Sequence, residues 1–207
     1  MKKFELTSET KVIFGHTLHR IRALVAFRDV SEGELGGWVE KEENLCQYGN
    51  AWVYGDAWVY GDAWVYGDAR VYGDAWVYGD ARVCGDARVY GNAWVYGDAR
   101  VCGDAWVYGD ARVYGDARVY GDARVYGIGA IFWIGAVGSR NKTTTFFTCK
   151  DKKIRVSCGC FFGDLDEFTA KIEETHGDNQ HAKVYMLAIE MAKARINIAE
   201  IPEDEKS

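Results

Sequence analysis

The chain has 207 residues, a formal net charge of −6 and 14% aromatic residues. This aromatic share excludes a largely disordered protein, because disordered chains carry much less apolar surface. No run of about 18 uninterrupted apolar residues occurs, and the N-terminus turns acidic before a signal-peptide core can form, so we expect a cytoplasmic protein without a membrane partner. The modest net charge also argues against a long nucleic acid as partner, since any such site would have to be local.

A six-residue repeat dominates the middle of the chain. A valine recurs at every sixth position from Val53 to Val125, which gives 13 copies of the unit V-[YC]-G-[DN]-A-[WR]. Because neighbouring positions of a strand point to opposite faces, the Ala and Val of each unit are predicted to point inward and the Trp or Arg between them outward. The Gly-Asp pair tolerates left-handed backbone and is predicted to form a corner.

The unit resembles the hexapeptide repeat of left-handed parallel β-helices, and Val53 to Trp58 match its aliphatic and small positions. The resemblance implies three hexads per triangular coil, so that residues 18 apart stack about 4.8 Å from each other. Three outward columns then follow: Trp58, Trp76, Trp94 and Arg112; Trp52, Arg70, Arg88, Trp106 and Arg124; and Trp64, Arg82, Arg100 and Arg118. The stacked Trp58, Trp76 and Trp94 expose more apolar area than a monomer should, so we predict a homo-oligomer, a dimer or trimer, with these residues at the interface.

Two features of the repeat have alternative explanations. The Asp position holds 11 Asp, with Asn50 and Asn92 as exceptions, and we favour a corner role over a calcium ladder because each corner supplies a single carboxylate. Cys84 and Cys102 replace Tyr and should be vertical neighbours. We expect them to be reduced, as small apolar substitutes for Tyr, because disulfides are rare in the cytosol and geometrically demanding.

The sequence divides into four parts. Residues 1–46 are predicted to cap the solenoid, 47–138 to form the β-helix, 139–200 to form a small α+β module, and 201–207 to be an acidic tail. Thr143–Thr148 and Ile154–Cys158 are predicted strands. Asp164 with Glu167 has the signature of a helix start, and a second helix begins at Asp178 or Asn179, so the module is predicted to be ββαα.

The chain also resembles a group of uncharacterised proteins found in phages and prophages. The resemblance spans nearly the full length and rests on these segments: Phe4-Glu5-Leu6-Thr7, residues 35–45, the YGDAxV array, Gly138-Ser139-Arg140, Cys158-Gly159-Cys160-Phe161, Leu165-Asp166-Glu167-Phe168 and residues 175–179. It implies a phage origin and hence the host cytoplasm as location, but no activity.

The densest cationic segment follows the repeat. Residues 140–155 contain six basic residues and one acidic residue, and they follow a Gly-Ser dipeptide that suits a phosphate group. His176, Asp178 and Asn179 lie in a predicted interhelix turn. The candidate contacts for an anionic ligand are therefore Arg140, Ser139, Lys142, His176, Asp178 and Asn179, with solvated surface and helix caps as the structural alternative.

No cofactor, metal or catalytic residue is predicted. Cys158 and Cys160 are separated by one residue, closer than in the usual zinc knuckle, so a zinc site with Cys149 and His176 is disfavoured. Many left-handed β-helices are acyltransferases with a catalytic His and inserted loops, whereas this chain has no His between His19 and His176 and no insertion in the repeat. We therefore expect a non-enzymatic protein that sequesters a small anionic host molecule, such as a nucleotide immune signal. The alternative is a structural, self-assembling β-helix.

Overall fold

A computed structural model describes residues 2–139 and 141–198. Arg140 and the predicted acidic tail 201–207 lie outside the described residues. The N-terminal region contains strands β1 (Phe4–Ile13), β2 (His16–Ala23) and β3 (Leu35–Val39), followed by a 3-10 turn at Glu42–Asn44. β1 and β2 form an antiparallel pair, called here the N-terminal hairpin.

Each hexad then contributes one two-residue strand made of the outward residue and the inward valine. The strands are β4 (Trp52–Val53), β5 (Trp58–Val59), β6 (Trp64–Val65), β7 (Arg70–Val71), β8 (Trp76–Val77), β9 (Arg82–Val83), β10 (Arg88–Val89), β11 (Trp94–Val95), β12 (Arg100–Val101), β13 (Trp106–Val107), β14 (Arg112–Val113), β15 (Arg118–Val119) and β16 (Arg124–Val125).

These strands form a parallel β-solenoid with three faces, which confirms the predicted fold. Residues 18 apart pair in register, as Trp76 does with Trp94. The first face contains β5, β8, β11 and β14, the second β4, β7, β10, β13 and β16, and the third β6, β9, β12 and β15. The five stacked strands of the second face mean that the array makes between four and five coils. The hand of the coil stays a prediction.

The solenoid core is built from small side chains. The inward Ala and Val of every coil are fully or almost fully buried, as Ala87 and Val89 show. The glycine of each corner has φ between 57° and 79°, the left-handed region that the Gly-Asp pair predicts. The six-residue period therefore determines which residues are buried in the core and which form the corners.

Polar groups of the flanking segments pair with the backbone at both ends of the solenoid. At the N-terminal end the buried Lys3 donates to the Ala51 carbonyl oxygen at 2.8 Å. The buried Asn44 amide donates to the carbonyl oxygens of Gly61 and Ala63 at 3.0 and 2.9 Å. At the other end the Arg118 N–H donates to the Thr145 hydroxyl at 3.0 Å. Unpaired backbone groups at the end of a stack of strands can pair with another chain. These hydrogen bonds occupy such groups at both ends of the solenoid.

The C-terminal module contains more strands than the two that the sequence predicts. Its antiparallel sheet consists of β17 (Ile131–Val137), β18 (Lys142–Thr148), β19 (Ile154–Cys158) and β20 (Phe161–Asp164), in that order. A 3-10 turn at Ile128–Ala130 precedes β17, and the helices α1 (Leu165–His176) and α2 (Gln180–Arg195) pack on the sheet. Asp164 and Glu167 form the predicted capping box of α1. Within the described ranges, no helix is both long and apolar enough to cross a membrane.

The expectation that Cys84 and Cys102 are reduced is wrong. Cys84 and Cys102 form a disulfide, because the 18-residue register brings their Cα atoms to 4.6 Å, a separation that a disulfide spans. Trp52 points out of the coil, as predicted, but it is fully buried by the N-terminal region. Phe4 and Phe27 of the N-terminal region pack edge-on against its indole, with ring centroids 6.2 and 5.3 Å away.

Candidate functional site

The first face of the solenoid carries a ladder of tryptophans. The ring centroids of Trp58 and Trp76 are 4.6 Å apart and those of Trp76 and Trp94 are 4.8 Å apart, with nearly parallel planes. The predicted stacking is therefore confirmed. The ladder ends where the repeat places Arg112, whose guanidinium lies 4.7 Å from the centroid of the Trp94 ring. This distance is within the range of a cation–π contact.

A second ladder runs beside the first on the same face. Tyr60, Tyr78, Tyr96 and Tyr114 stack with centroids 4.9 to 5.0 Å apart. It ends against Trp133 of β17, which meets Tyr114 edge-on at 4.2 Å. Because each ring inside a ladder faces its neighbours, a planar ligand can stack on these rings only where a ladder ends. At the C-terminal end of the first face Arg112 and Trp133 occupy these positions, so a ligand there would meet a guanidinium group and an indole beside Tyr114.

The N-terminal hairpin covers the opposite end of the same face. Leu18 is fully buried with Trp38 and Tyr60 in a small apolar cluster. The Lys11 ammonium lies 4.6 Å from the Trp58 ring centroid, and the Phe14 ring meets Trp76 at 5.9 Å. Part of the apolar area that motivates the predicted oligomer interface is thus covered by the chain itself. The interface at Trp58, Trp76 and Trp94 stays a prediction.

A cleft opens where the two ladders meet the C-terminal module, and we call it the junction cleft. Its volume is about 360 Å³, and it is lined by Tyr96, Arg112, Tyr114, Ile128, Ile131, Phe132, Trp133 and Arg195. The solenoid supplies Tyr96, Arg112 and Tyr114, β17 and the turn before it supply the apolar wall, and the end of α2 supplies Arg195. Aromatic rings and guanidinium groups therefore converge in one concave site.

The cations of the junction cleft are not neutralised by carboxylates of the part of the chain that the structure describes. Arg195 donates to the Ile128 carbonyl oxygen at 3.1 Å, and Arg112 lies on Trp94. Among residues 2–139 and 141–198, neither guanidinium forms an ion pair. Burial raises the pKa of Tyr96, which the Arg112 charge opposes, so its hydroxyl is neutral at neutral pH. The cleft therefore offers positive charge and the neutral Tyr96 hydroxyl group to a ligand.

The described residues that were predicted to bind an anion lie around the module rather than in the junction cleft. Ser139 is exposed in the turn after β17, and Arg140 lies outside the described residues. Lys142 is exposed and lines a second cavity, of about 620 Å³, together with Asp116 and Arg118. The Asp116 carboxylate gives this second cavity mixed charge.

The interhelix candidates have mainly structural contacts. His176 is half-buried at the end of α1 and stacks on Tyr185 with centroids 5.8 Å apart. Asn179 caps α2, because its side-chain oxygen accepts the N–H groups of His181 and Ala182 at 2.8 and 3.1 Å. Asp178 is exposed beside an apolar groove between the helices, so Lys142 and Asp178 line different cavities.

The cysteines of the module have other contacts with their described neighbours. Cys149 is buried, and burial together with the nearby Asp122 raises the pKa of its thiol far above the ordinary value. Cys158 accepts a hydrogen bond from the Thr144 hydroxyl at 3.2 Å. Where the chain is described, no group of three or more His, Cys, Asp and Glu residues has an arrangement that could hold a metal ion.

The sequence analysis assigns none of the residues of the junction cleft to a ligand site. It does place Arg112 at the end of the first column, where Arg replaces Trp, and the repeat unit carries the Tyr position to which Tyr96 and Tyr114 belong. Trp133 and Arg195 had no such signal, because they follow the repeat and reach the cleft through the packing of β17 and α2.

The comparisons with known proteins agree with the fold. The family model described as YdcK Beta solenoid repeat matches residues 63–79, 81–97, 93–109, 99–115, 105–119 and 111–127. No curated protein sequence matches the chain. The matched segments all lie in the stacked hexads, and the chain is therefore a β-solenoid repeat protein.

Proposed function

We propose that this protein is a non-enzymatic binding protein and that the junction cleft holds a small planar anion, with a nucleotide as the preferred class. The observation that carries the proposal is the pair Arg112 and Arg195. Two guanidinium groups that have no carboxylate partner among residues 2–139 and 141–198 face a cleft whose other walls are aromatic and aliphatic. An anion would complete their electrostatic environment.

The shape and chemistry of the cleft favour a mononucleotide-sized ligand. A volume of about 360 Å³ lies at the lower end of the range of small-molecule sites, which rules against a polymer inside the cleft. Guanidinium groups bind phosphate oxygens with charge-assisted, often bidentate hydrogen bonds. The rings of Tyr114, Trp133 and Phe132 supply apolar contact for a base.

Acyl transfer is disfavoured by the residues of the cleft. Its lining contains Tyr and Arg but no His, Asp, Glu, Cys or Lys to act as a general base at neutral pH. His16 and His19 lie on the N-terminal hairpin, where His16 contacts Glu40 at 2.8 Å and His19 contacts the Thr7 carbonyl oxygen at 3.3 Å. Binding without chemistry is the function that this residue set supports best.

The resemblance to phage and prophage proteins supplies the biological part of the proposal. A phage-encoded protein that holds a nucleotide without converting it would lower the concentration of a host immune signal. Tight binding would then be the whole activity, and the protein would act in stoichiometric amounts.

The test is calorimetric titration of AMP, ADP-ribose and cyclic dinucleotides into the wild type and the Arg112→Ala and Arg195→Ala variants. Loss of one charge-assisted contact is expected to weaken binding by about tenfold or more. The matched control is Arg100→Ala, an exposed arginine of the third face. Equal binding by all variants would remove the ligand from the junction cleft. No binding by the wild type would favour the structural alternative, in which the aromatic faces serve assembly.

A further inference from the structure

Helix α2 has an apolar stripe that no described part of the chain covers. Leu187 is 65% exposed and Met191 is 51% exposed, although α2 buries Tyr185, Ala188 and Ile189 on its other side. Leu187 and Met191 are one helical turn apart and therefore share a face. An apolar groove of about 490 Å³, lined also by Ile172 and Ala182, lies beside this stripe between α1 and α2. A contiguous exposed apolar patch of this kind marks an interaction surface.

The charges beside the stripe are self-complementary in one orientation only. Lys183 and Glu190 are exposed and seven residues apart, so they lie on the same face as Leu187, one on each side of it along the helix. If two copies of α2 pack antiparallel about a two-fold axis between Met186 and Leu187, Lys183 of each copy faces Glu190 of the other. A parallel pair would instead oppose Lys183 to itself. The same patch is then used by both subunits, as a two-fold interface requires.

We propose that the protein forms a homodimer through α2, with Leu187 at the centre of an antiparallel helix pair and reciprocal Lys183–Glu190 contacts at its edges. This interface lies on the C-terminal module and is independent of the junction cleft and of its proposed ligand. It also differs from the oligomer interface that the sequence predicts at Trp58, Trp76 and Trp94.

The interface is small, and its expected affinity follows from its size. A helix of 16 residues is about 24 Å long, so one helix pair buries less than the roughly 1,200 Å² of a standard-sized complex. Glu190 already binds Lys193 at 2.9 Å, but both side chains are exposed and such pairs contribute little. We expect a dimer in the micromolar range whose mass depends on concentration.

The experiment is sedimentation equilibrium of the full chain from roughly 1 to 500 µM, which spans the affinities of small interfaces. Leu187→Asp is expected to raise the dissociation constant at least tenfold. Lys183→Glu and Glu190→Lys should each weaken the dimer about tenfold by opposing like charges. The double variant Lys183→Glu/Glu190→Lys should recover the wild-type constant within about threefold. Far-ultraviolet circular dichroism of each variant establishes that α2 is still formed.

Matched controls separate this surface from the alternatives. Lys171→Glu changes an exposed charge of α1 outside the stripe and should leave the dimer unchanged. Trp76→Ala should also leave it unchanged. A monomer over the whole concentration range would overturn the proposal, and so would a dimer that Trp76→Ala dissociates while Leu187→Asp does not. Failure of the double variant to recover would overturn the antiparallel orientation. Binding of a monomer to phosphatidylcholine vesicles would assign the stripe to a lipid surface instead.

Discussion

The hexad array and the C-terminal module reach a dry core in opposite ways. The array buries many small side chains, one Ala and one Val per hexad, and each contacts residues 18 positions away. The module buries a few large ones, among them Phe146, Phe168 and Ile189, which come from distant segments. A regular stack therefore distributes its stability over many equivalent contacts, whereas the module concentrates it in a few.

This contrast is most strongly tested by truncating one core residue in each part. Phe146→Ala removes a fully buried ring that packs against Phe132 and Phe168 and should lower the free energy of unfolding by about 3–5 kcal/mol. Val89→Ala removes only two methyl groups and should cost about 2 kcal/mol. Urea unfolding curves give both values. Equal losses would mean that the array is as sensitive at single positions as the module.

The two parts also differ in how much of their structure is predictable from sequence. A period of six residues was enough for the strands, the corner glycines and the stacked Trp ladder, because each contact recurs at a fixed separation. In the module, Asp164 predicted the start of α1 and the pair Asp178 and Asn179 that of α2, where Asn179 is the cap, since capping acts within one turn. β17 was missed because Ile131 and Val137 continue the six-residue step although they belong to an antiparallel strand.

The remaining errors concern contacts made across long separations. Trp52 is buried by residues that no periodicity connects to it, and Arg195 reaches the junction cleft from 83 positions beyond Arg112. The register correctly placed Cys84 beside Cys102, but proximity did not determine the bond, which the expected reducing compartment argued against. The ladders and the helix caps were therefore predictable from sequence patterns. The junction cleft was not, because its residues come together only in the tertiary structure.

The disulfide tests whether the array needs a cross-link between coils. Replacing both Cys84 and Cys102 with Ser removes the closure of an 18-residue loop, which should lower the free energy of unfolding by about 3 kcal/mol under non-reducing conditions. The wild type treated with a reductant should match the variant. If the two proteins unfold at the same urea concentration without reductant, stacking alone determines the stability of these coils.

The pH dependence of the free energy of unfolding tests the contribution of Lys3 to the cap at the N-terminal end of the array. Burial lowers its pKa from 10.5 to about 8, so between these values the unfolded chain holds a proton that the folded chain has lost. Lys3 should therefore raise the free energy of unfolding by about 2 kcal/mol from pH 8 to pH 10. The buried Cys149 thiol, whose pKa is raised, acts in the opposite direction above its ordinary pKa of 9.0 and makes the net rise smaller. Above pH 10, Tyr54 and Tyr60 oppose this rise, because burial raises the pKa of each to about 12.

The variant Lys3→Met is the control for this pH dependence. It should remove most of the rise between pH 8 and pH 10 while retaining the apolar part of the side chain. Unfolding curves measured at half-unit pH intervals give the slope. An identical slope in both proteins would assign the pH dependence to groups other than Lys3.

The smallest expected effect distinguishes the backbone conformation of a corner from its contact with the next coil. Gly55 and Gly91 both have positive φ, 57° and 68°. A Cβ at Gly55 meets no atom within 4 Å, whereas a Cβ at Gly91 would lie 3.1 Å from the Gly109 nitrogen of the next coil.

Gly55→Ala should therefore lower the free energy of unfolding by about 1 kcal/mol through the left-handed backbone alone. Gly91→Ala should lower it by a further 1 kcal/mol or so, because close-packed neighbours resist even small displacements. Urea unfolding of the two variants measures the difference directly. If Gly55→Ala and Gly91→Ala cost the same, the spacing between coils yields to an added methyl group, and the corner glycines are required only for their φ angle.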